Sequence, residues 1–194
     1  MPRIFFAVPM PFALRRTFAA CREACVAADP SWAGEKWVAP ENLHVTLRFL
    51  GSLSEADVER CVESATEALA VIEPFRLRLD LARAIPQRRS ASLLWVAPSH
   101  GVEETAAVAE ALAQATSFVD FRPDGKRFRP HVTLCRARAP RRLAAGAFDE
   151  MERLLHVSGE RTLSMSVPDV TLYASTLTPR GPVYEEKAMI PLGG

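Results

Sequence analysis

Apolar residues recur along the chain with two alternating periods, and the switch between them outlines the fold. Residues 4–8 are wholly apolar and stop at Pro9, which predicts a short buried strand. Leu14, Phe18, Cys21 and Cys25 then fall at helical spacing and predict an amphipathic helix over residues 12–28. A loop is expected over residues 32–42, and a strand over residues 43–50 that Gly51 ends. Ser54 can cap a second helix over residues 54–72, whose stripe is Val58, Cys61, Val62, Ala65 and Leu69. Residues 75–81 alternate apolar and charged side chains, as a strand with one wet face does. Further strands are expected at residues 92–97, 131–136, 164–174 and 183–191, the last at an edge, with a helix at 102–115 and a short one at 148–155. The pattern is that of an α+β protein: mostly antiparallel sheets covered by helices, with no low-complexity linker between elements.

At 194 residues, with 48% apolar and 24% charged side chains, the chain suits one ordinary domain or a compact pair of lobes. A formal net charge of +1 excludes a protein that coats nucleic acid by bulk charge. The charge is nevertheless uneven. Residues 122–142 carry eight basic side chains against Asp124 alone, so this segment is +7 and the remainder −6. The four cysteines form no C-x-x-C pair and no scaffold spacing, which fits reduced thiols in a cytoplasmic protein; Cys21 and Cys25 are expected in the core. Residues 18–21 loosely resemble a lipoprotein cleavage box, but Arg15 and Arg16 interrupt the segment where a signal peptide is uncharged. Neither this stretch nor any other has the length of a membrane span.

The most informative feature is a repeated tetrapeptide: His44-Val45-Thr46-Leu47 and His131-Val132-Thr133-Leu134, 87 residues apart. Side chains alternate along a strand, so each copy presents an imidazole and a hydroxyl on one face while valine and leucine enter the core. Two such strands facing one another would bring two imidazoles and two hydroxyls to one small anion. Displacement at phosphorus wants this set: one histidine takes a proton from the attacking oxygen, the other gives one to the departing oxygen, and the threonines donate to non-bridging oxygens. Imidazole suits both tasks because either protonation state exists near neutral pH. Three plainer readings compete. A lone strand histidine is commonly a hydrogen-bonded core residue, although two matching copies argue against that. A metal site would want H-x-H or H-E-x-x-H spacing or an alternating carboxylate, and none is present. Cys135, two residues after Thr133 and on the same expected face, could serve as a nucleophile, but only one copy has it.

These residues resemble the two-histidine phosphoesterases, and specifically the bacterial RNA 2′,3′-cyclic phosphodiesterases, also called 2′-5′ RNA ligases. Residues 3–8 (RIFFAV) look like that family's opening strand, residues 37–51 (WVAPENLHVTLRFLG) like its first motif and residues 128–136 (FRPHVTLCR) like its second. Residues 93–96 and 172–175 also fit, so the likeness runs nearly end to end. It implies a single bilobal catalytic domain over residues 1–194, with two antiparallel sheets in pseudo-twofold relation flanking a cleft, and neither metal nor cofactor. The implied reaction opens a terminal ribose 2′,3′-cyclic phosphate to a 2′-phosphomonoester, with 2′-5′ RNA ligation as the reverse-type activity. The implied partners are RNA ends or nucleotides carrying that group, met by a monomeric cytoplasmic protein away from membranes. His44 and His131 would be catalytic, with Thr46, Thr133 and Arg136 at the phosphate or ribose. Strict alternation puts Arg136 opposite His131, so a bulge or strand end would have to turn it back. Phe6 matches a position that can stack on the terminal base, or it is a buried strand residue. The motif pair reads the phosphate and not what is attached, so small cyclic nucleotides, 2′-5′-linked oligonucleotides and a non-catalytic RNA-end binder stay open. His100 and His156 lack a partner motif and are expected on the surface, and Trp37 and Trp95 are core or cleft wall. The likeness is weakest over residues 143–159.

Overall fold

The structure, a computed structural model, describes residues 2–120, 127–179 and 181–193. Nine strands are described: β1 (Arg3–Pro9), β2 (Lys36–Trp37), β3 (His44–Gly51), β4 (Phe75–Ile85), β5 (Ala91–His100), β6 (Val132–Arg141), β7 (Ser164–Val167), β8 (Asp169–Thr178) and β9 (Gly181–Pro191). Four α-helices accompany them: α1 (Phe12–Ala28), α2 (Glu55–Leu69), α3 (Val102–Ala115) and α4 (Ala145–Leu163). Helices α1 and α3 have the limits the apolar spacing predicts. Ser54 caps α2 as expected, its Oγ accepting from the Asp57 amide at 3.2 Å while its hydroxyl donates to the Asp57 carboxylate at 2.7 Å. The turn from β5 into α3 requires Gly101: its φ is +80°, and a Cβ there would lie 2.4 Å from the Arg76 carbonyl oxygen.

Every ladder is antiparallel, and the strands run in the order β7-β4-β5-β6-β3-β1-β8-β9, with β2 beside β6. The two sheets expected from the sequence are the halves of this one sheet, joined where Val45 of β3 meets Val132 of β6. The halves mirror one another, with β3, β1, β8 and β9 corresponding to β6, β5, β4 and β7. The expected single strand over residues 164–174 breaks at Pro168, which has no N–H to give a ladder. That break has a topological consequence. One residue joins β7, at one end of the strand order, to β8, next to the other end, so the sheet must curl until its ends approach. Strand β9 is an edge, as expected, and carries Glu185, Glu186 and Lys187, charges that discourage further strand pairing.

Helix α1 packs against α4, and α2 against α3. Leu14, Phe18, Cys21 and Cys25 are buried, as are Ala147, Met151 and Leu155 of α4. Helix α4 is longer than the stretch expected at 148–155. Polar and small residues continue it to Leu163 through a kink at Gly159, whose φ of 74° and ψ of 165° leave the helical region. Among the described residues no helix is long and apolar enough to cross a membrane.

Candidate active site

The site forms where the two halves of the sheet join. His44 and Thr46 come from β3, and His131, just before β6, and Thr133, within it, approach from the facing copy. In both copies Val45 and Val132 are fully buried while the histidine and threonine are only partly so, as alternation predicts. Beyond the threonine the alternation fails, and in both copies at the same residue. Phe6 pairs with Arg48 and Ala7 with Thr46, leaving Leu47 as an extra residue; Leu94 pairs with Cys135 and Trp95 with Thr133, leaving Leu134 extra. These matched β-bulges shift the following residues by one. Phe49 and Arg136, each five residues after its histidine, therefore return to the cleft. The bulge also overturns the expected facing of Cys135, which is fully buried beside Leu134 instead of lying with His131. Burial pushes its thiol up to about 12, so it holds no thiolate near neutral pH.

The two rows line one cavity of about 340 Å³, which holds His44, Thr46 and Phe49 from one copy and His131, Thr133 and Arg136 from the other. Arg3 and Phe5 of β1, Ser175 of β8 and Tyr184 of β9 extend the wall. Phe6 is not among them: it is fully buried in the core, and Phe5 takes the cleft position instead. The Phe5 ring lies 5.1 Å from that of His44, and the Tyr184 ring meets the same imidazole edge-on at 5.4 Å. Trp95 is half-buried and stacks on His131, with centroids 3.8 Å apart and planes 17° from parallel. Trp37 is half-buried outside the cavity, its indole N–H donating to the Trp32 carbonyl at 2.8 Å. His100 and His156 are exposed, as expected.

Both imidazoles are oriented in the same way. His44 Nδ1 lies 2.7 Å from the Asn42 carbonyl oxygen, and His131 Nδ1 lies 2.7 Å from the Arg129 carbonyl oxygen. A carbonyl can only accept, so Nδ1 carries the proton in each ring and the neutral form leaves Nε2 bare. The Thr46 hydroxyl sits 2.9 Å from His44 Nε2 and can donate to it. The Asn42 side chain, through Nδ2, donates at 2.8 Å to the Pro182 carbonyl of β9, tying the segment that orients His44 to the strand that supplies Tyr184.

The electrostatics disfavour charge on the two rings, and most of all on both at once. Burial lowers the pKa of His44, the Asn42 hydrogen bond opposes that shift, and repulsion from His131 and Arg136 lowers it further. Burial likewise lowers that of His131, partly offset by its bond to Arg129 and reinforced by Arg136. Protonation of His131 thus disfavours protonation of His44, so the pair resists holding two protons. An anion in the cavity would draw one proton in. Among the described residues no three His, Cys, Asp or Glu side chains gather as a metal site, and the cavity walls offer no carboxylate. The basic segment is part strand: Arg136, Arg138 and Arg141 lie in β6, where Arg141 pairs with Glu35. Arg122, Asp124 and Lys126 fall outside the described residues.

Sequence reasoning missed Phe5, Phe49, Tyr184 and the orienting role of residues 42 and 129. A signal for Phe5 exists, since Arg3 marks the wet face of β1 and Phe5 shares its parity. A signal for Phe49 exists in its matching place to Arg136. Tyr184 comes from the far end of the chain, and only the curl of the sheet brings it near.

The chain is similar to known proteins in sequence and in fold. Over 191 residues the chain is 30% identical to an RNA 2′,3′-cyclic phosphodiesterase of Methanothermobacter thermautotrophicus, covering 95% of each chain. It is 33% identical over 153 residues to one from Aeropyrum pernix, covering 77% of this chain and 82% of that one. Among solved structures, a protein of Thermus thermophilus superposes with a TM-score of 0.76 at 28% identity, across 99% of this chain and 98% of that one. Escherichia coli LigT in apo form does so with a TM-score of 0.73 at 23% identity, across 100% and 98%, a likeness of fold. The profile of the 2′-5′ RNA ligase superfamily spans residues 11–175, from α1 through both histidine motifs into β8, and the chain belongs to that superfamily.

Proposed function

We propose that the chain is an RNA 2′,3′-cyclic phosphodiesterase that opens the terminal cyclic phosphate to a 2′-phosphomonoester by general acid–base catalysis, without a metal ion. The observation that carries this reading is the pair of carbonyl-locked imidazoles lining one cavity with Thr46, Thr133 and Arg136. The two relatives described above bear that activity as their name. In the forward reaction His131 Nε2 takes a proton from a water in line with the P–O3′ bond, and the water oxygen bonds to phosphorus. The P–O3′ bond breaks as His44 Nε2 gives its proton to O3′, which leaves a free 3′-hydroxyl and a phosphate on O2′. The rings end with their protons exchanged and re-equilibrate with solvent. Thr46 and Thr133 donate to non-bridging oxygens while Arg136 offsets the growing negative charge. Lowered imidazole pKa values make the free protein mostly uncharged at the pair, and the bound phosphate restores the single proton the reaction needs.

The test is turnover of 2′,3′-cyclic-ended oligonucleotides and mononucleotides, with and without a chelator, with products identified by the position of the phosphate. The expected product is the 2′-phosphate at equal rates in both conditions. A 3′-phosphate would refute the bond assignment, and loss of turnover on chelation would refute the metal-free chemistry. The histidine roles have a separate test: a substrate with an activated 3′ leaving group needs little protonation, so it should rescue His44→Ala more than His131→Ala. Preferential rescue of His131→Ala would reverse the assignment.

A further inference from the structure

A second concavity, of about 800 Å³, opens directly beside the catalytic cavity, and Thr46, Phe49 and His131 line both. Its floor is the small-residue face of α3, where Ala106, Ala109 and Ala113 leave open space that longer side chains would fill. Its opposite wall is the segment entering the second motif, where exposed Arg127 and Arg129 flank half-buried Phe128. Arg48 completes a lining of three arginines against a single carboxylate, Glu110. We propose that this groove is the subsite for the nucleotide 5′ to the cyclic phosphate, with an arginine on the phosphodiester that links it to the terminal residue and Phe128 against its base. The inference rests on the RNA-end reading above.

Three features select this occupant. The groove is continuous with the cavity that holds the histidines, so whatever fills it is attached to the group being opened. Its volume lies within the roughly 300–1,000 Å³ typical of sites that enclose one small organic ligand, and it adds to a first cavity already sized for a phosphate and ribose. Its lining pairs cations with an apolar floor and an aromatic face, the combination that holds a sugar–phosphate backbone and a stacked base without reading sequence. One residue links the groove wall to the catalytic ring: Arg129 lines the groove and its carbonyl orients His131.

The experiment is a length series of substrates, each ending in a 2′,3′-cyclic phosphate: one, two and three nucleotides. Wild-type kcat/KM should rise by at least about tenfold from one nucleotide to two, the equivalent of one hydrogen bond to a charged group, and change little from two to three. The double variant Ala106→Leu/Ala113→Leu fills the floor with a residue of similar helix propensity at two partly exposed positions. It should lose roughly tenfold on the dinucleotide and stay within about twofold on the mononucleotide, which also reports that it has folded. Arg127→Ala should lower the dependence of log(kcat/KM) on log[salt] for the dinucleotide by about 0.7, the release expected from one single-stranded phosphate contact. A flat series with brisk mononucleotide turnover would overturn the subsite alone. So would a double variant that weakens one and two nucleotides equally, since the groove would then hold the terminal nucleoside. No turnover of any member by the wild type would instead take down the functional reading itself.

Discussion

The orientation of His44 rests on a backbone carbonyl that is itself tied down, and cutting that tie has a calculable effect. Asn42 accepts from His44 Nδ1 through its carbonyl and donates from its side chain to the Pro182 carbonyl, at 2.7 and 2.8 Å. In Asn42→Ala the carbonyl remains but its anchor to β9 is lost. A partly exposed amide–carbonyl bond contributes about 0.5–1.5 kcal/mol net, so the oriented state should lose that much relative to its alternatives. At 1.4 kcal/mol per decade, kcat should fall by roughly twofold to tenfold, far short of removing the ring. Asn42→Asp separates position from charge. It loses the same donor, places a carboxylate beside the imidazole and should move the alkaline limb of the pH profile upward, because a neighbouring anion favours the imidazolium of His44, the proposed acid. Steady-state kcat across pH for both variants, on a cyclic mononucleotide, is the assay. A loss beyond about a hundredfold in Asn42→Ala, or no loss with an unmoved profile in Asn42→Asp, would refute a positioning role.

Thr46→Val and Thr133→Val each remove a hydroxyl proposed to donate to phosphate and should cost about tenfold in kcat/KM, which steady-state kinetics will read directly. Because burial and Arg136 lower both imidazole pKa values, kcat/KM, which reports the free protein, should be bell-shaped and centred below about pH 6.5. The kcat profile should lie at higher pH, because the bound anion favours the protonated form; coincident profiles would contradict this. Cys135→Ala should leave kcat within about threefold of wild type while lowering Tm by a few degrees, as loss of a small buried side chain does; a loss of turnover comparable to a histidine variant would restore the thiol as a candidate nucleophile.

How much was legible in the sequence follows from which interactions are local. Helices α1 and α3 were legible, α1 because Leu14, Phe18, Cys21 and Cys25 mark one face at helical spacing. The histidine pair was legible because duplication repeats both its chemistry and its parity. The strand pattern alone does not show the bulges at Leu47 and Leu134, because a bulge is a relation between two strands; the resemblance called for a turn of the strand at Arg136 only. The bulge at Leu134 returns Arg136 to the cleft, as that resemblance required, and takes Cys135 out of the face it was expected to share with His131. Of the two readings of Phe6 the buried strand residue holds, and the cleft position of Phe5 went unread because a wholly apolar strand hides which face is core, although Arg3 carries the parity. The curl that brings Tyr184 to His44 depends on the single-residue link at Pro168, whose effect appears only once the strand order is known.

The claim at the centre of this account is that His44 and His131 act as one acid–base unit at a shared phosphate. The most direct measurement is kcat on a 2′,3′-cyclic-ended substrate for His44→Ala, His131→Ala and the double variant, each confirmed folded by its circular dichroism. Each single variant should lose about 10²–10⁴-fold, and the double should lose little more than the worse single, because groups that act as a unit are not additive. Wild-type turnover in either single variant, or a double-variant loss equal to the product of the two, would contradict it.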